Sequence, residues 1–214
     1  MEKDAKSGLY VPRSGILVPT IIQKTTTGGM EAYDLFSSLL QNNGIIIISG
    51  VIENAMADII VGELLYLSSL NTASDINIYI DSPGGSVTAG LAIISTMRHV
   101  MHKGKDISTI CMGQAASMGS VILAAGSKGK RFSLPYARIM IHQVSGGAEG
   151  PVADMKASIG EVERLQDILY SILAKASKKT VEEITKDADR DHYFSPEEAK
   201  KYGLIDGVVP IEEF

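Results

Sequence analysis

The hydrophobic residues of this chain fall into two patterns that alternate along it. Short apolar runs are typical of strands buried on both faces, and they occupy residues 45–48, 76–80, 107–112 and 138–142. Longer segments with an apolar residue every three or four positions predict helices, and they occupy residues 30–41, 54–69, 86–101, 117–125 and 152–176. This alternation predicts an α/β fold whose parallel strands are joined by helical crossovers.

Polar residues and glycines mark the ends of several predicted helices. Gly44 ends the first helix and Asn54 is expected to cap the second. Thr180 followed by Glu183 forms a capping box, and the same pattern at 195–198 has proline at the first helical position. Gly203 is expected to end the helix that starts there.

The apolar stripe over residues 152–176 is longer than a small domain needs for its own core. It follows a glycine-rich loop at residues 146–150. The stripe fits a core helix and equally fits a helix that packs against another subunit. The pattern leaves both interpretations open.

Composition indicates a single globular domain. The chain has 214 residues, of which 45% are hydrophobic, and its mean hydropathy is +0.12. This composition excludes intrinsic disorder, and its slight apolar excess is consistent with contacts between subunits. No apolar run approaches the ~20 residues that a membrane-spanning helix needs.

Charge and cysteine content exclude further classes. The net charge of −5 argues against a nucleic-acid partner, because phosphate binding needs clustered lysine and arginine. Cys111 is the sole cysteine and lies in an apolar run, so it is expected to be a buried, inert thiol. Residues 1–16 lack the apolar core of a secretory signal and are interpreted as a flexible arm or a removable pro-segment.

Two strand-to-helix junctions are rich in small residues, and such junctions are where α/β folds place their chemistry. The first, Asp-Ser-Pro-Gly-Gly-Ser at 81–86, could expose backbone N–H groups to an anion, although a plain tight turn explains it equally well. The second, at 113–119, places Ser117 among small residues, as in a nucleophile elbow. A helix cap is the alternative role of Ser117, and spacing alone favours it.

A nucleophilic serine needs a base and a group that orients the base. His142 ends the apolar strand at 138–142, whereas His99 and His102 end a helix and His192 lies in a charged loop. A structural histidine remains the more common outcome for such a position. The residues alone do not choose among four candidate carboxylates: Asp187, Asp189, Asp191 and Asp206.

Five stretches, in this order and at these separations, resemble the proteolytic subunit of the Clp protease, the ClpP family. They are Ser-Pro-Gly-Gly at 82–85, Ile-Cys-Met-Gly-Gln-Ala-Ala-Ser-Met-Gly at 110–119, Met-Ile-His-Gln at 140–143, Asp-Arg-Asp at 189–191, and the 198–206 segment. The resemblance begins at about residue 17. It implies a ClpP/crotonase-like fold of repeated β-β-α units, in one domain over 17–214, with a protruding handle helix at about 151–177.

The resemblance also implies a serine endopeptidase. Ser117 matches the nucleophile, His142 the base and Asp191 the carboxylate that orients it. Gly85 and Met118 match the backbone donors of the oxyanion hole. No metal and no cofactor are expected. In the family, ATP is used by the partner ATPase and not by this subunit.

Further expectations concern assembly. Family members form two stacked seven-membered rings, and an AAA+ ATPase such as ClpX, ClpA or ClpC feeds unfolded proteins into the chamber. Asp189 and Arg190 match an inter-ring contact, and Tyr79 matches the ATPase-docking pocket. No nucleic-acid or membrane partner is expected, and the implied location is cytoplasmic.

The chain departs from the usual family pattern at Asn77, Asp81, Val144 and the longer 101–105 stretch. Asn77 replaces an aromatic residue of the docking pocket. The alternative function is therefore a catalytically reduced or regulatory subunit of a mixed ring. A crotonase-like acyl-CoA enzyme fits the elbow serine poorly, and a Ser-Lys peptidase is disfavoured because no lysine replaces His142.

Overall fold

The computed structural model describes residues 18–24, 28–70 and 74–210. The predicted N-terminal arm, residues 1–16, lies outside this part of the chain. The strands are β1 (Thr20–Lys24), β2 (Met30–Asp34), β3 (Ile45–Ser49), β4 (Ile76–Ser82), β5 (Ile107–Ala116), β6 (Arg131–Ser133), β7 (Arg138–Ile141), β8 (His192–Phe194) and β9 (Gly207–Val208). The helices are α1 (Leu35–Asn43), α2 (Asn54–Ser69), α3 (Val87–His102), α4 (Met118–Ala124), α5 (Val152–Ser177), α6 (Val181–Asp187) and α7 (Pro196–Tyr202).

Seven strands form one sheet that branches at β5. Strands β3, β4 and β5 are parallel neighbours, joined by the crossover helices α2 and α3. Residues 109–111 of β5 pair with β6, and residues 114–116 pair with β7. Strand β9 pairs with β6, and β8 pairs with β7 as the sheet's antiparallel member. The predicted α/β fold with a mostly parallel sheet is confirmed.

A bulge separates the two halves of β5. The regular pairing with β4 ends at Cys111 and resumes at Ala115, so residues 112–114 lie opposite Asp81. The Oδ1 atom of Asp81 accepts a hydrogen bond from Gln114 N at 3.0 Å across this bulge. Bulges bend the strand that carries them, and here the bend lies between the halves that pair with β6 and with β7.

The hydrophobic core lies between the sheet and helices α2, α3 and α4. Every second residue of β3 and β4 is buried on this side, including Ile46, Ile48, Ile78 and Ile80. Ile93 of α3 faces them and is fully buried. Burying one such side chain stabilises the fold by about 1.5–3 kcal/mol.

The predicted helix over residues 30–41 is wrong in its first half. Residues 30–34 form β2, which pairs antiparallel with β1. Lys24 pairs with Met30 at one end of this ladder, and Thr20 pairs with Asp34 at the other. Helix α1 begins only after Asp34, whose carboxylate accepts a hydrogen bond from Ser37 N at 3.0 Å. Pairing with β1 therefore supplies backbone hydrogen bonds to a segment whose apolar spacing also fits a helix.

Helix α5 reconciles the two interpretations of the long apolar stripe. Its buried residues, Leu169, Tyr170, Leu173 and Ala174, lie in its last three turns and pack on the core. The first half extends from the body, and Val152 and Ile159 are 69% and 50% exposed. The helix therefore matches the protruding handle that the resemblance implied.

A buried ion pair joins the C-terminal segment to the sheet. Arg131 at the start of β6 donates from Nε and Nη2 to the two carboxylate oxygens of Asp206, at 2.8 and 2.7 Å. The N–H groups of Gly129 and Arg131 donate to the same carboxylate. Burial alone would raise the pKa of Asp206, but these hydrogen bonds outweigh it and the pKa is lowered.

In the described part of the chain, no helix is long and apolar enough to cross a membrane.

Candidate active site

Ser117 occupies a sharp turn between β5 and α4. Its φ of 53° and ψ of −123° are unusual for a residue other than glycine. Ser117 N donates to Met140 O at 2.9 Å, and Ser120 Oγ donates to Ser117 O at 2.7 Å. The hydroxyl of Ser117 makes no capping hydrogen bond to α4. The helix-cap interpretation of this serine is therefore wrong, and the turn has the geometry of a nucleophile elbow.

The hydroxyl of Ser117 faces a histidine instead. His142 Nε2 lies 2.7 Å from Ser117 Oγ, and His142 Nδ1 lies 3.2 Å from Asp191 Oδ1. Strand pairing explains this second contact. Because Ile141 of β7 pairs with His192 of β8, the residues just beyond them, His142 and Asp191, face each other. The three side chains form one continuous hydrogen-bonded chain.

The other candidate carboxylates have different partners. Asp206 is held by Arg131, as described above. Asp187 accepts a hydrogen bond from the hydroxyl of Tyr202 at 2.7 Å. Asp189 forms an ion pair of 3.6 Å with Arg190. Among these four aspartates, only Asp191 contacts His142 through its carboxylate.

The remaining histidines lie away from Ser117. His99 and His102 are in the last turn of α3. His192 Nδ1 lies 3.1 Å from Asp187 O, and its ring stacks on Phe194 at 4.3 Å between centroids. These contacts give His192 a structural role in the β8 strand.

A pair of glycines packs directly against the elbow. Gly84 and Gly85 have φ angles of +100° and +151°. A Cβ atom on Gly84 would lie 2.6 Å from Ser117 Cβ, and one on Gly85 would lie 2.3 Å from Ile52 O. Both positions therefore require glycine, for backbone conformation and for space.

Two residues with unpaired backbone N–H groups border the space beside the serine. Gly85 and Met118 line a cavity of about 60 Å³ together with Ser117 and His142. Among the described residues, neither Gly85 N nor Met118 N donates a hydrogen bond to a protein acceptor. Unpaired donors at the edge of a cavity are available to a ligand oxygen. Such an arrangement can stabilise an oxyanion next to the serine.

Ser82 is a residue that the sequence analysis missed. Its side chain is fully buried, and its Oγ donates to Gly50 O at 2.6 Å and accepts from Gly84 N at 3.1 Å. No sequence pattern distinguishes a serine that makes these two buried hydrogen bonds from any other serine that follows a strand. The two hydrogen bonds form because the fold packs the loop after β3 beside the glycine pair.

Cys111 lies inside β5, and burial raises the pKa of its thiol to about 12. The thiolate, which is the reactive form, is therefore scarce at neutral pH. The predicted burial of Cys111 is confirmed.

Comparison with known protein families agrees with the geometry. A sequence model of the Clp protease family matches residues 27–212. The chain belongs to the Clp protease family. As a member of the Clp protease family it is a peptidase of the ClpP type, and the resemblance noted from its motifs is confirmed. The ClpP fold is also consistent with the mostly parallel sheet and with the helices described here.

Proposed function

We propose that this chain is the proteolytic subunit of an ATP-dependent Clp protease. It acts as a serine endopeptidase that hydrolyses peptide bonds of unfolded proteins inside a ring-shaped chamber. The observation that carries the proposal is the hydrogen-bonded chain from Asp191 through His142 to Ser117. A serine, its base and the group that orients the base are the three parts of a catalytic triad.

The first step forms an acyl-enzyme. His142 Nε2 accepts the proton of Ser117 Oγ while that oxygen attacks the carbonyl carbon of a peptide bond. The N–H groups of Gly85 and Met118 donate to the carbonyl oxygen as it becomes negative. One such donor lowers the barrier by about 3 kcal/mol. His142 then gives its proton to the departing amine.

The second step releases the product. A water molecule loses a proton to His142 and attacks the ester on Ser117. The bond to Ser117 Oγ then breaks, and His142 returns the proton to that oxygen. Asp191 accepts a hydrogen bond from the Nδ1–H group of His142, so Nε2 is free to act as the base and the imidazolium is stabilised. The chain's own groups supply each proton transfer, so we propose that no metal or organic cofactor takes part.

The assembly in two stacked seven-membered rings is part of the proposal. It is supported by the first half of α5, whose apolar residues Val152 and Ile159 are exposed. Asp189 and Arg190 are also open to contact, with side chains 69% and 88% exposed. We assign them to the contact between rings.

An apolar groove supports a contact with a further protein surface. The groove has a volume of about 470 Å³ and lies between α1, β3 and α2. Its lining residues are Phe36, Leu39, Ile45, Ile47, Ala55, Met56, Ile59, Ile60 and Glu63.

Tyr79 and Asn77 of β4 pair with Ile47 and Ile45 and are half-buried. We assign Tyr79 to docking of an AAA+ ATPase such as ClpX, ClpA or ClpC, and place the assembly in the cytoplasm.

Hydrolysis of a short fluorogenic peptide tests the chemistry without a partner. The purified protein is expected to cleave the peptide, and Ser117→Ala is expected to lose at least about 10³-fold in kcat. Equal activity in the two proteins would rule out the triad. A parent protein as inactive as Ser117→Ala would instead favour the catalytically reduced subunit of a mixed ring.

Two further measurements test the assembly. Light scattering at neutral pH is expected to give a mass many times 22.9 kDa, and a persistent monomer would contradict the rings. Folded protein substrates are expected to resist degradation without an ATPase. Their complete degradation by the chain alone would contradict a closed chamber.

A further inference from the structure

The peptide between Gly84 and Gly85 is fixed on both sides. Gly84 O accepts a hydrogen bond from Ile52 N at 2.8 Å, and Ser86 N donates to Ile52 O at 2.8 Å. These two bonds pair the glycine segment with the loop after β3. Gly85 N lies between them in the chain and has no acceptor among the described residues.

A further polar group of this segment is the N–H of Gly84, and it is buried. Its acceptor is Ser82 Oγ at 3.1 Å. The same hydroxyl donates to Gly50 O at 2.6 Å, so one buried side chain connects the glycine segment to the end of β3. A buried N–H without an acceptor is costly, so the main chain would move to find one if this hydroxyl were absent.

Movement of the segment would change the position of the Gly85 donor. Gly84 and Gly85 are flanked by Ile52 on one side and by Ser117 on the other. Oxyanion stabilisation depends on donors held within about 2.7–3.1 Å of the developing charge. A small rotation of this peptide therefore weakens stabilisation of the transition state while leaving the walls of the substrate site in place.

We propose that Ser82 is a positioning residue whose hydroxyl holds the Gly84–Gly85 peptide so that Gly85 N faces the reacting carbonyl oxygen. The proposal rests on the proposed serine peptidase function and adds a residue to its machinery. Ser82 is fully buried and does not line the cavity beside Ser117, so it acts through the main chain of the glycine pair.

The test compares two buried serines that each accept a main-chain N–H. Ser82→Ala removes the acceptor of Gly84 N. Ser127→Ala removes the acceptor of Ile107 N, 2.9 Å away, at the end of β5 remote from the elbow. Each variant loses two hydrogen bonds, the one accepted from a main-chain N–H and the one that the same hydroxyl donates, to Gly50 O from Ser82 and to Met101 Sδ from Ser127. Both are therefore expected to lower the melting temperature similarly.

Two rates are measured for the parent and both variants. They are kcat for a fluorogenic peptide and the rate of phosphonylation by a fluorophosphonate probe, whose phosphoryl oxygen occupies the oxyanion position. Ser82→Ala is expected to lower both at least about tenfold with KM changed less than about twofold, because a displaced donor loses part of the 10²–10³-fold effect of a deleted one. Ser127→Ala is expected to leave both within about twofold.

The proposal is overturned if folded Ser82→Ala retains both rates within about twofold of the parent. It is also overturned if Ser127→Ala loses as much as Ser82→Ala, since the effect would then be general destabilisation. If Ser82→Ala does not fold, Ser82→Cys, which keeps the side-chain volume but accepts hydrogen bonds weakly, is expected to lower both rates at least about threefold. Unchanged rates in that variant would overturn the proposal.

Failure of the proposed function has a different signature. The probe would then label the parent no faster than it labels Ser117→Ala, whatever residue occupies position 82. That outcome would contradict both the triad and the positioning role of Ser82.

Discussion

Replacing Gly85 with alanine perturbs the proposed oxyanion hole most directly. The new Cβ atom would lie 2.3 Å from Ile52 O and 2.7 Å from Ile52 N. Real Cβ atoms essentially never approach another atom closer than 3.0 Å, so the two backbone segments must separate by about 0.7 Å. Both contacts are with main chain, which cannot move aside by changing a rotamer.

The magnitude of the effect follows from that displacement. A donor that moves by about 0.7 Å from an ideal distance near 2.9 Å leaves the hydrogen-bonding range, which ends near 3.2 Å. Losing one oxyanion donor costs about 10²–10³-fold in kcat. The φ of +151° adds backbone strain of about 1–3 kcal/mol, which lowers stability. We therefore expect kcat to fall by about 10²–10³-fold with KM little changed.

The assay is steady-state hydrolysis of a fluorogenic peptide, with a thermal melt of each protein. Gly129→Ala is the matched control, because Gly129 also has a positive φ of +85° but open space at the Cβ position. It should lose stability through strain and retain kcat. A folded Gly85→Ala protein with kcat within about threefold of the parent would refute the assignment of Gly85 to the oxyanion hole.

Three further variants test the triad and two pKa shifts. Asp191→Asn should lower kcat by about 10²–10⁴-fold in peptide hydrolysis, because the amide favours the wrong tautomer of His142, and an unchanged kcat would contradict its orienting role. The lowered pKa of Asp206 adds stability above pH ~4 that is lost as the pH falls through the folded-state pKa. Asp206→Asn, which breaks the pair with Arg131, should therefore cost about 3 kcal/mol in denaturant unfolding at pH 7 and less in acid, whereas a pH-independent loss would contradict the ion pair. Burial raises the pKa of Glu63, so this carboxyl lowers the stability of the fold as the pH rises past ~4.3. Glu63→Gln should therefore raise the melting temperature at pH 8 but not at pH 4. Equal melting temperatures of the two proteins at pH 8 would show that burial does not affect this carboxyl.

Much of the sheet could be predicted because its strands are continuous apolar runs. Strands β3, β4 and β5 begin where the pattern predicted them, but β5 continues to Ala116, four residues past its predicted end. The capping boxes at Thr180 and Ser195 are both present. Strands β6, β8 and β9 have three residues or fewer, which is too short to show any periodicity. Their existence depends on pairing with distant strands, so no local pattern reveals them.

Local sequence made Ser117 and His142 candidates, although it favoured a helix cap for the serine and a structural role for the histidine, and it did not select a carboxylate. The residues alone left four aspartates open, and the resemblance to the ClpP family selected Asp191. The register that joins Ile141 to His192 brings Asp191 to His142 across 49 residues of chain. A contact set by antiparallel pairing over that separation cannot be read from spacing.

The missed role of Ser82 has a similar cause. Its partners, Gly50 and Gly84, belong to different loops, and one of them is 32 residues away. The sequence showed the glycine pair as a possible anion site but also as a plain turn.

The most direct test of the central claim is to locate the covalent adduct formed by a peptidyl phosphonate. The purified protein is incubated with the reagent and digested, and its peptides are analysed by mass spectrometry. The proposed mechanism predicts one adduct per chain, on Ser117, which forms in step with the loss of peptidase activity and does not form in His142→Ala. Loss of activity with an adduct on any other residue, or peptide hydrolysis that persists after Ser117 is fully modified, would contradict it.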